Sequence, residues 1–316
     1  MRAQCVFEFA KNPHGKFYAN KKLVDKIVDK TFEILDSRGV KVSEMIESAV
    51  GDGSFIEKLD QISKERGIPV KYFDLVIDKK VSHIAKKQDF LDYIPDGPYF
   101  DKNRLIITGP PYGDRKKDPS STKLALKFGT KAGEIAGWVS FIAPVSWLID
   151  NYPTKRLKII WSENLGNEKF TSSEDLGGVN ATVRTAIVIC ESLQIPQWEA
   201  EVAKEELTYR KLKQSYIIQN WRPGGSTDWD YFINAWGQYG SGEVVEKIPI
   251  SQKGKKTPFS SAISIKVTND LKKVPLQKWL STFKQNYKDE IAKYSLNTDN
   301  ILSLGLFKKF LRDAHI

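Results

Sequence analysis

The sequence predicts an α/β protein: a mostly parallel, doubly wound sheet with helices on both faces, followed by a smaller C-terminal α+β region. Three observations predict it. Short apolar, β-branched runs alternate with stretches of helical spacing from about residue 21 to residue 190. The first run opens into a glycine-bearing turn, Gly51-Asp52-Gly53, directly ahead of a helix-compatible stretch. After Pro196 the alternation gives way to a charged helical stretch, then to an aromatic and glycine-rich segment. A boundary near residue 195 therefore separates a unit over 1–195 from a unit over 196–316.

In chain order, Leu23, Val24, Ile27, Val28, Phe32 and Ile34 recur at largely helical spacing, and the helix stops near Gly39. Met45 and Ile46 then lead into the turn, and Ile56 to Ile62 form the next helix. Val70 to Phe73 is a short strand that ends at Asp74, and Leu105 to Thr108 is a strand that runs into Gly109-Pro110-Pro111-Tyr112-Gly113. A helix over Thr122 to Lys131 precedes strands at Trp138 to Pro144 and Thr185 to Cys190, the second nearly continuous in apolar residues and so buried on both faces. Beyond the boundary, Trp198 to Tyr216 is helical, Ala262 to Val267 is a strand, and Leu276 to Lys288 and Ile301 to Leu311 have helical spacing.

Composition narrows the function classes. The 316 residues carry 49 Lys+Arg against 39 Asp+Glu, a net charge of +10, which favours a polyanionic partner or serves solubility alone. Cys5 and Cys190 are far apart, without the spacing of a disulfide framework or a zinc site, and fit a reducing compartment. His14, His83 and His315 are scattered and form no metal pattern. The charged N-terminus lacks the apolar run of a signal peptide, and no later stretch has the length of a membrane span, so a soluble, cytoplasmic protein is expected.

In an open α/β sheet the first βα turn lies at the carboxyl edge, where glycines let a ligand approach the backbone; Gly51 and Gly53 suit that role. Read alone, they are also what an ordinary turn requires. An acidic residue about twenty positions on, at the end of the next strand, accepts from ribose hydroxyls. Asp74 sits there, with Asp78 as the alternative. Asp89 and Phe90 follow, a carboxylate for an adenine amine and a ring for its face, and Phe17 and Tyr18 add aromatic surface before the first helix.

The order of these segments resembles the S-adenosylmethionine-dependent amino-methyltransferases, in particular adenine-specific DNA methyltransferases of phage and bacterial type, over residues 17 to 190. Phe17-Tyr18-Ala19-Asn20 is similar to the family's N-terminal cofactor motif and Glu47-Ser48-Ala49-Val50-Gly51-Asp52-Gly53-Ser54-Phe55 to its glycine-rich motif. Gly109-Pro110-Pro111-Tyr112 is similar to its catalytic motif. Leu124 to Phe128 and Phe141 to Trp147 also resemble that family.

The resemblance implies a Rossmann-like methyltransferase sheet with S-adenosylmethionine as cofactor, no metal, and a nucleic acid, DNA ahead of RNA, as partner in a bacterial or phage-infected cell. It implies cofactor contacts at Phe17, Tyr18, Glu47, Ala49, Gly51, Asp52, Gly53, Phe55, Asp74, Asp89 and Phe90, with Asp52 near the methionine part. The chemistry would be methyl transfer to the exocyclic amine of adenine, with Gly109, Pro110, Pro111 and Tyr112 at the catalytic position.

The family's catalytic motif opens with Asp, Asn or Ser, whose side chain accepts from the target amine; here that position is Gly109. The missing hydrogen bond is worth roughly 1.5–3 kcal/mol, or roughly ten- to a hundredfold in rate. Backbone carbonyls of Gly109 and Pro110 remain as acceptors, and Asp114 or Asp118 is a candidate substitute. Arg115, Lys116 and Lys117, just after the loop, and Arg222, among the C-terminal aromatics, are candidates for phosphate contact. Trp221, Trp229, Tyr231, Trp236 and Tyr239 read as a base-stacking surface or, in preference, as the core of the second unit.

Overall fold

The computed structural model describes residues 19–75, 79–112, 123–171, 180–221, 225–236, 244–246 and 261–286, together with residues 307, 309, 311 and 314. The chain divides into two compact units, Met1–Trp198 and Glu199–Ile316, the division falling within a helix over Ile195–Ser215.

In the first unit, helix α1 (Lys21–Ser37) forms because Leu23, Val24, Ile27, Val28, Phe32 and Leu35 bury one stripe. The Asn20 side chain caps its start by accepting from the Leu23 amide at 2.9 Å, and Gly39, at φ 66°, takes the left-handed turn after its end. Strand β1 (Glu44–Glu47) feeds helix α2 (Ile56–Arg66), which Gly67 ends in the same left-handed manner. Strands β2 (Val70–Asp74), β3 (Lys86–Lys87) and β4 (Asp101–Thr108) follow. Helix α3 (Lys123–Ile135) leads to β5 (Ala136–Pro144), buried along its whole length, and then to the long strands β6 (Leu157–Thr171) and β7 (Asn180–Ser192).

These strands make one seven-stranded sheet in the order β3-β2-β1-β4-β5-β7-β6. The ladders from β3 to β5 are all parallel, as expected of crossover connections through helices. β7 runs antiparallel between β5 and β6, a reversal that the alternation of apolar runs did not signal. Side chains alternate across the sheet: Met45, Leu105, Ile107, Trp138 and Ile142 join the α1 and α2 core, where the Thr31 and Ser140 hydroxyls meet at 2.7 Å. On the opposite face Phe141 meets Trp147, and Gly129 of α3 packs so closely that an added Cβ would lie 2.7 Å from the Trp147 ring. Helices thus cover both faces of a Rossmann-like sheet.

In the second unit, the Ile195–Ser215 helix (α4) is followed by β8 (Tyr216–Trp221), β9 (Tyr231–Trp236), β10 (Val244–Val245) and β11 (Ser261–Val267). They form an antiparallel sheet in the order β10-β9-β11-β8. Tyr216, Tyr231, Ile233, Ile263 and Ile265 pack with Leu276, Leu280 and Phe283 of helix α5 (Lys273–Asn286). Trp221 and Phe232 meet edge to face at 5.9 Å within a separate cluster that includes Trp229. Trp221 and Tyr231 are buried, so these two aromatics serve the core of the unit.

Candidate functional site at the carboxyl edge of the sheet

β1 and β4 are parallel neighbours, Met45 opposite Leu105 and Ile46 opposite Ile106, so the turn after β1 and the loop after β4 leave the same edge side by side. A buried contact joins them: the Thr108 hydroxyl, last in β4, donates to Oε1 of Glu47, last in β1. The same oxygen accepts the Ala49 amide at 2.9 Å. The other carboxyl oxygen, Oε2, is buried and has no hydrogen-bond partner. Burial pushes the Glu47 carboxyl up from 4.5 to about 8; the bonds from Thr108 and Ala49 oppose the rise and the nearby Asp74 charge adds to it.

The turn itself is built by two glycines in the left-handed region, Gly51 at φ 59° and Gly53 at φ 89°. At Gly53 the space is closed as well, since a Cβ would lie 2.6 Å from a Val81 methyl. The Gly51 amide donates to the Asp74 carboxylate at 2.7 Å, and the Val50 amide to the Phe73 carbonyl at 3.1 Å, which ties the turn to the end of β2. Asp52 accepts from the Ser54 amide at 3.0 Å. Phe55, buried, sits at the foot of α2 and approaches within 4.0 Å of where a Cβ on Gly109 would stand.

Asp74 ends β2, and its carbonyl accepts the Gln88 amide at 2.9 Å, which sets Asp89 next along the same edge. Asp89 caps a short turn by accepting from the Leu91 amide. Phe90 departs from expectation. It is 1% exposed and stacks at 5.3 Å on Phe128 of α3, so its ring belongs to the core and presents no face at the edge.

In the loop after β4, Tyr112 is held at both ends. Its hydroxyl donates to the Ile142 carbonyl of β5 at 3.2 Å, and its own carbonyl accepts the Ala125 amide of α3 at 3.4 Å. Gly109 has an ordinary φ, and among the described residues a Cβ there would meet only Ile142 and Phe55, at 3.9 and 4.0 Å.

Of the residues expected from sequence, Glu47, Ala49, Gly51, Asp52, Gly53, Asp74, Asp89 and Gly109 to Tyr112 thus come to one edge. Phe17, Tyr18, Asp78, Arg115, Lys116, Lys117 and Arg222 lie outside the described residues. Sequence reasoning missed Thr108, Val81 and the Ile142 carbonyl. Thr108 left one signal, a hydroxyl as the last residue of an otherwise apolar strand. Among the described residues no cluster of His, Cys, Asp or Glu is arranged to hold a metal ion, and no helix is long and apolar enough to cross a membrane.

No protein-family model matches the chain, and no curated protein does. Among solved structures, an RNA methyltransferase candidate from Pyrococcus horikoshii is 10% identical, with 57% of this chain and 89% of that one covered and a TM-score of 0.39. A class I S-adenosylmethionine-dependent methyltransferase candidate from Listeria monocytogenes is 15% identical over 58% and 68% of the two chains, with a TM-score of 0.36. An S-adenosylmethionine-dependent methyltransferase from Clostridium acetobutylicum is 12% identical over 78% and 91%, with a TM-score of 0.28. At these scores the likeness carries no assignment, and function has to be argued from the site.

Proposed function

We propose that this chain is an S-adenosylmethionine-dependent methyltransferase acting on the exocyclic amine of adenine in nucleic acid, with DNA as the leading polymer. One observation carries the reading: the Gly51 turn and the Gly109–Tyr112 loop open on the same edge, their strands bridged by the Thr108–Glu47 bond. The turn proposed to hold the methyl donor and the loop proposed to hold the acceptor are therefore neighbours.

The residues present fit the cofactor. Glu47 offers a buried, unpartnered oxygen, and two left-handed glycines leave the turn without side chains that would keep a ligand from its backbone. Asp52 would lie near the methionine part, Asp74 near the ribose and Asp89 near the adenine. When bound, S-adenosylmethionine supplies the electrophilic methyl group of a sulfonium. The chain's own residues position the acceptor: Tyr112, anchored to β5, gives a planar surface for a base outside its stack, and the Gly109 and Pro110 carbonyls accept from its amine. The chain's charge of +10 favours the polyanion.

A second reading rests on Gly109, which lacks the usual acceptor: the same scaffold binding cofactor and nucleic acid without turnover. Incubation with radiolabelled S-adenosylmethionine and a panel of duplex DNA, single-stranded DNA, RNA and protein separates the two. Label on adenine that disappears in Asp52→Ala and Tyr112→Ala supports methyl transfer. Cofactor binding by folded protein with no transfer to any substrate supports the binding scaffold instead.

A further inference from the structure

β1 and β4 pair as far as Ile46 and Ile106, whereas β4 and β5 pair on to Thr108 and Phe141. Backbone pairing thus carries the end of β4 along β5, while the ends of β1 and β4 meet through side chains. One oxygen makes that connection: Oε1 of Glu47 accepts both the Ala49 amide of the glycine turn and the Thr108 hydroxyl of β4. On its other side the turn is tied to β2, by the Val50 amide to Phe73 and by the Gly51 amide to Asp74.

Thr108 and Glu47 are both 0% exposed. Bulk water cannot replace a bond so enclosed, and the low local dielectric strengthens it. Thr108 is also one peptide link from Gly109, the first residue of the acceptor loop. The last residue of that loop, Tyr112, is anchored on the Ile142 carbonyl of β5 and the Ala125 amide of α3. The loop is therefore held to β5 and α3 through Tyr112 and to the turn through Thr108.

We propose that Thr108 is a positioning residue, a role that rests on the methyl transfer proposed above: through Glu47 it sets the spacing between the turn that holds the donor and the loop that holds the acceptor amine, and it touches neither ligand. In that transfer the lone pair of the amine nitrogen forms the new C–N bond as the sulfonium C–S bond breaks. The electron pair of the broken bond stays on sulfur, and one amine proton leaves to solvent. The reacting atoms must approach to about 3–3.5 Å, and a misplacement of about 1 Å costs roughly a hundredfold. Loss of the Thr108 hydroxyl spoils that spacing and leaves the surfaces that bind each ligand in place.

The test is isothermal titration of the full chain with a bisubstrate analogue, in which the adenine amine is joined by a short tether to the methyl-bearing position of the cofactor. Its two halves, S-adenosylhomocysteine and a single-stranded oligonucleotide containing adenine, are titrated beside it. The parent should bind the analogue about a hundredfold or more tighter than either half. Thr108→Val, which keeps the shape of threonine without its hydroxyl, should weaken the analogue roughly ten- to a hundredfold and each half by less than about twofold. Thr108→Ser should restore the analogue to within a few-fold of the parent, and Thr108→Ala should repeat the valine pattern if valine prevents folding. Unchanged affinity for the analogue in the variants without the hydroxyl overturns the proposal. So does an equal loss in either half, which marks a merely structural role, or a failure of serine to restore. A folded parent that binds neither half overturns the methyltransferase reading itself, and this role with it.

Discussion

Glu44 and Glu47 stand at opposite ends of one four-residue strand and meet opposite surroundings. At the amino edge Glu44 accepts from the Arg104 guanidinium at 2.5 Å and pairs with Lys71 at 3.1 Å. Arg104, 2% exposed, also donates to the carbonyls of Ile135, Tyr99 and Pro98, at 2.6, 3.1 and 3.3 Å. At the carboxyl edge Glu47 has a hydroxyl, an amide and an orphaned oxygen, with no cation paired to it among the described residues. A carboxylate closed by a guanidinium holds a sheet together. A carboxyl buried beside two turns with one oxygen unpartnered adds no such closure to its end of the strand.

The largest break in this comparison is expected from Arg104→Ala, which leaves the Glu44 carboxylate to Lys71 alone and the buried Ile135 carbonyl without its donor. Urea denaturation should show a loss of about 3–5 kcal/mol. A loss below about 1 kcal/mol would mean that the amino edge is no more closed than the other.

Glu47→Gln probes the open end. A carboxyl whose folded value lies above its ordinary one contributes stability that is complete below about 4.5 and is lost as pH rises through about 8. The amide carries no such dependence. The variant should match the parent near pH 5 and exceed it near pH 8 by on the order of a few kcal/mol in urea titrations. Parallel profiles across that window would show that Glu47 is not held neutral by burial.

Gly109→Asn sharpens the functional side. The backbone conformation is ordinary and none of the described residues crowds the Cβ, so the variant should fold with unchanged stability. With the proposed activity it should transfer methyl roughly ten- to a hundredfold faster. Unchanged turnover at unchanged stability would show that the missing acceptor is not what limits the reaction.

The parts of the site legible in sequence were those where backbone geometry constrains residue type. Gly51 and Gly53 were legible because left-handed φ requires them, and Asp74 because an apolar strand ends on it. The parts that escaped depend on partners distant in sequence. Nothing local to Thr108 indicates a carboxyl 61 residues earlier, and nothing local to Phe90 indicates Phe128 beneath it. The fold was legible where strands are apolar on both faces. β6 escaped because, as an edge strand with register shifts near Ile159 and Asn164, it carries many polar residues that hide its period.

The room at Gly109 also bears on inheritance. A glycine codon ending in a pyrimidine lies one base away from codons for serine and aspartate, and among the described residues the Cβ of either would meet only ordinary contact there. An acceptor at that spot can therefore be gained or lost in a single generation without disturbing the scaffold. A lineage that lost Arg104 would have to find a new donor for the buried Ile135 carbonyl and hold Glu44 by Lys71 alone, so the two edges of this sheet are open to change at very different rates.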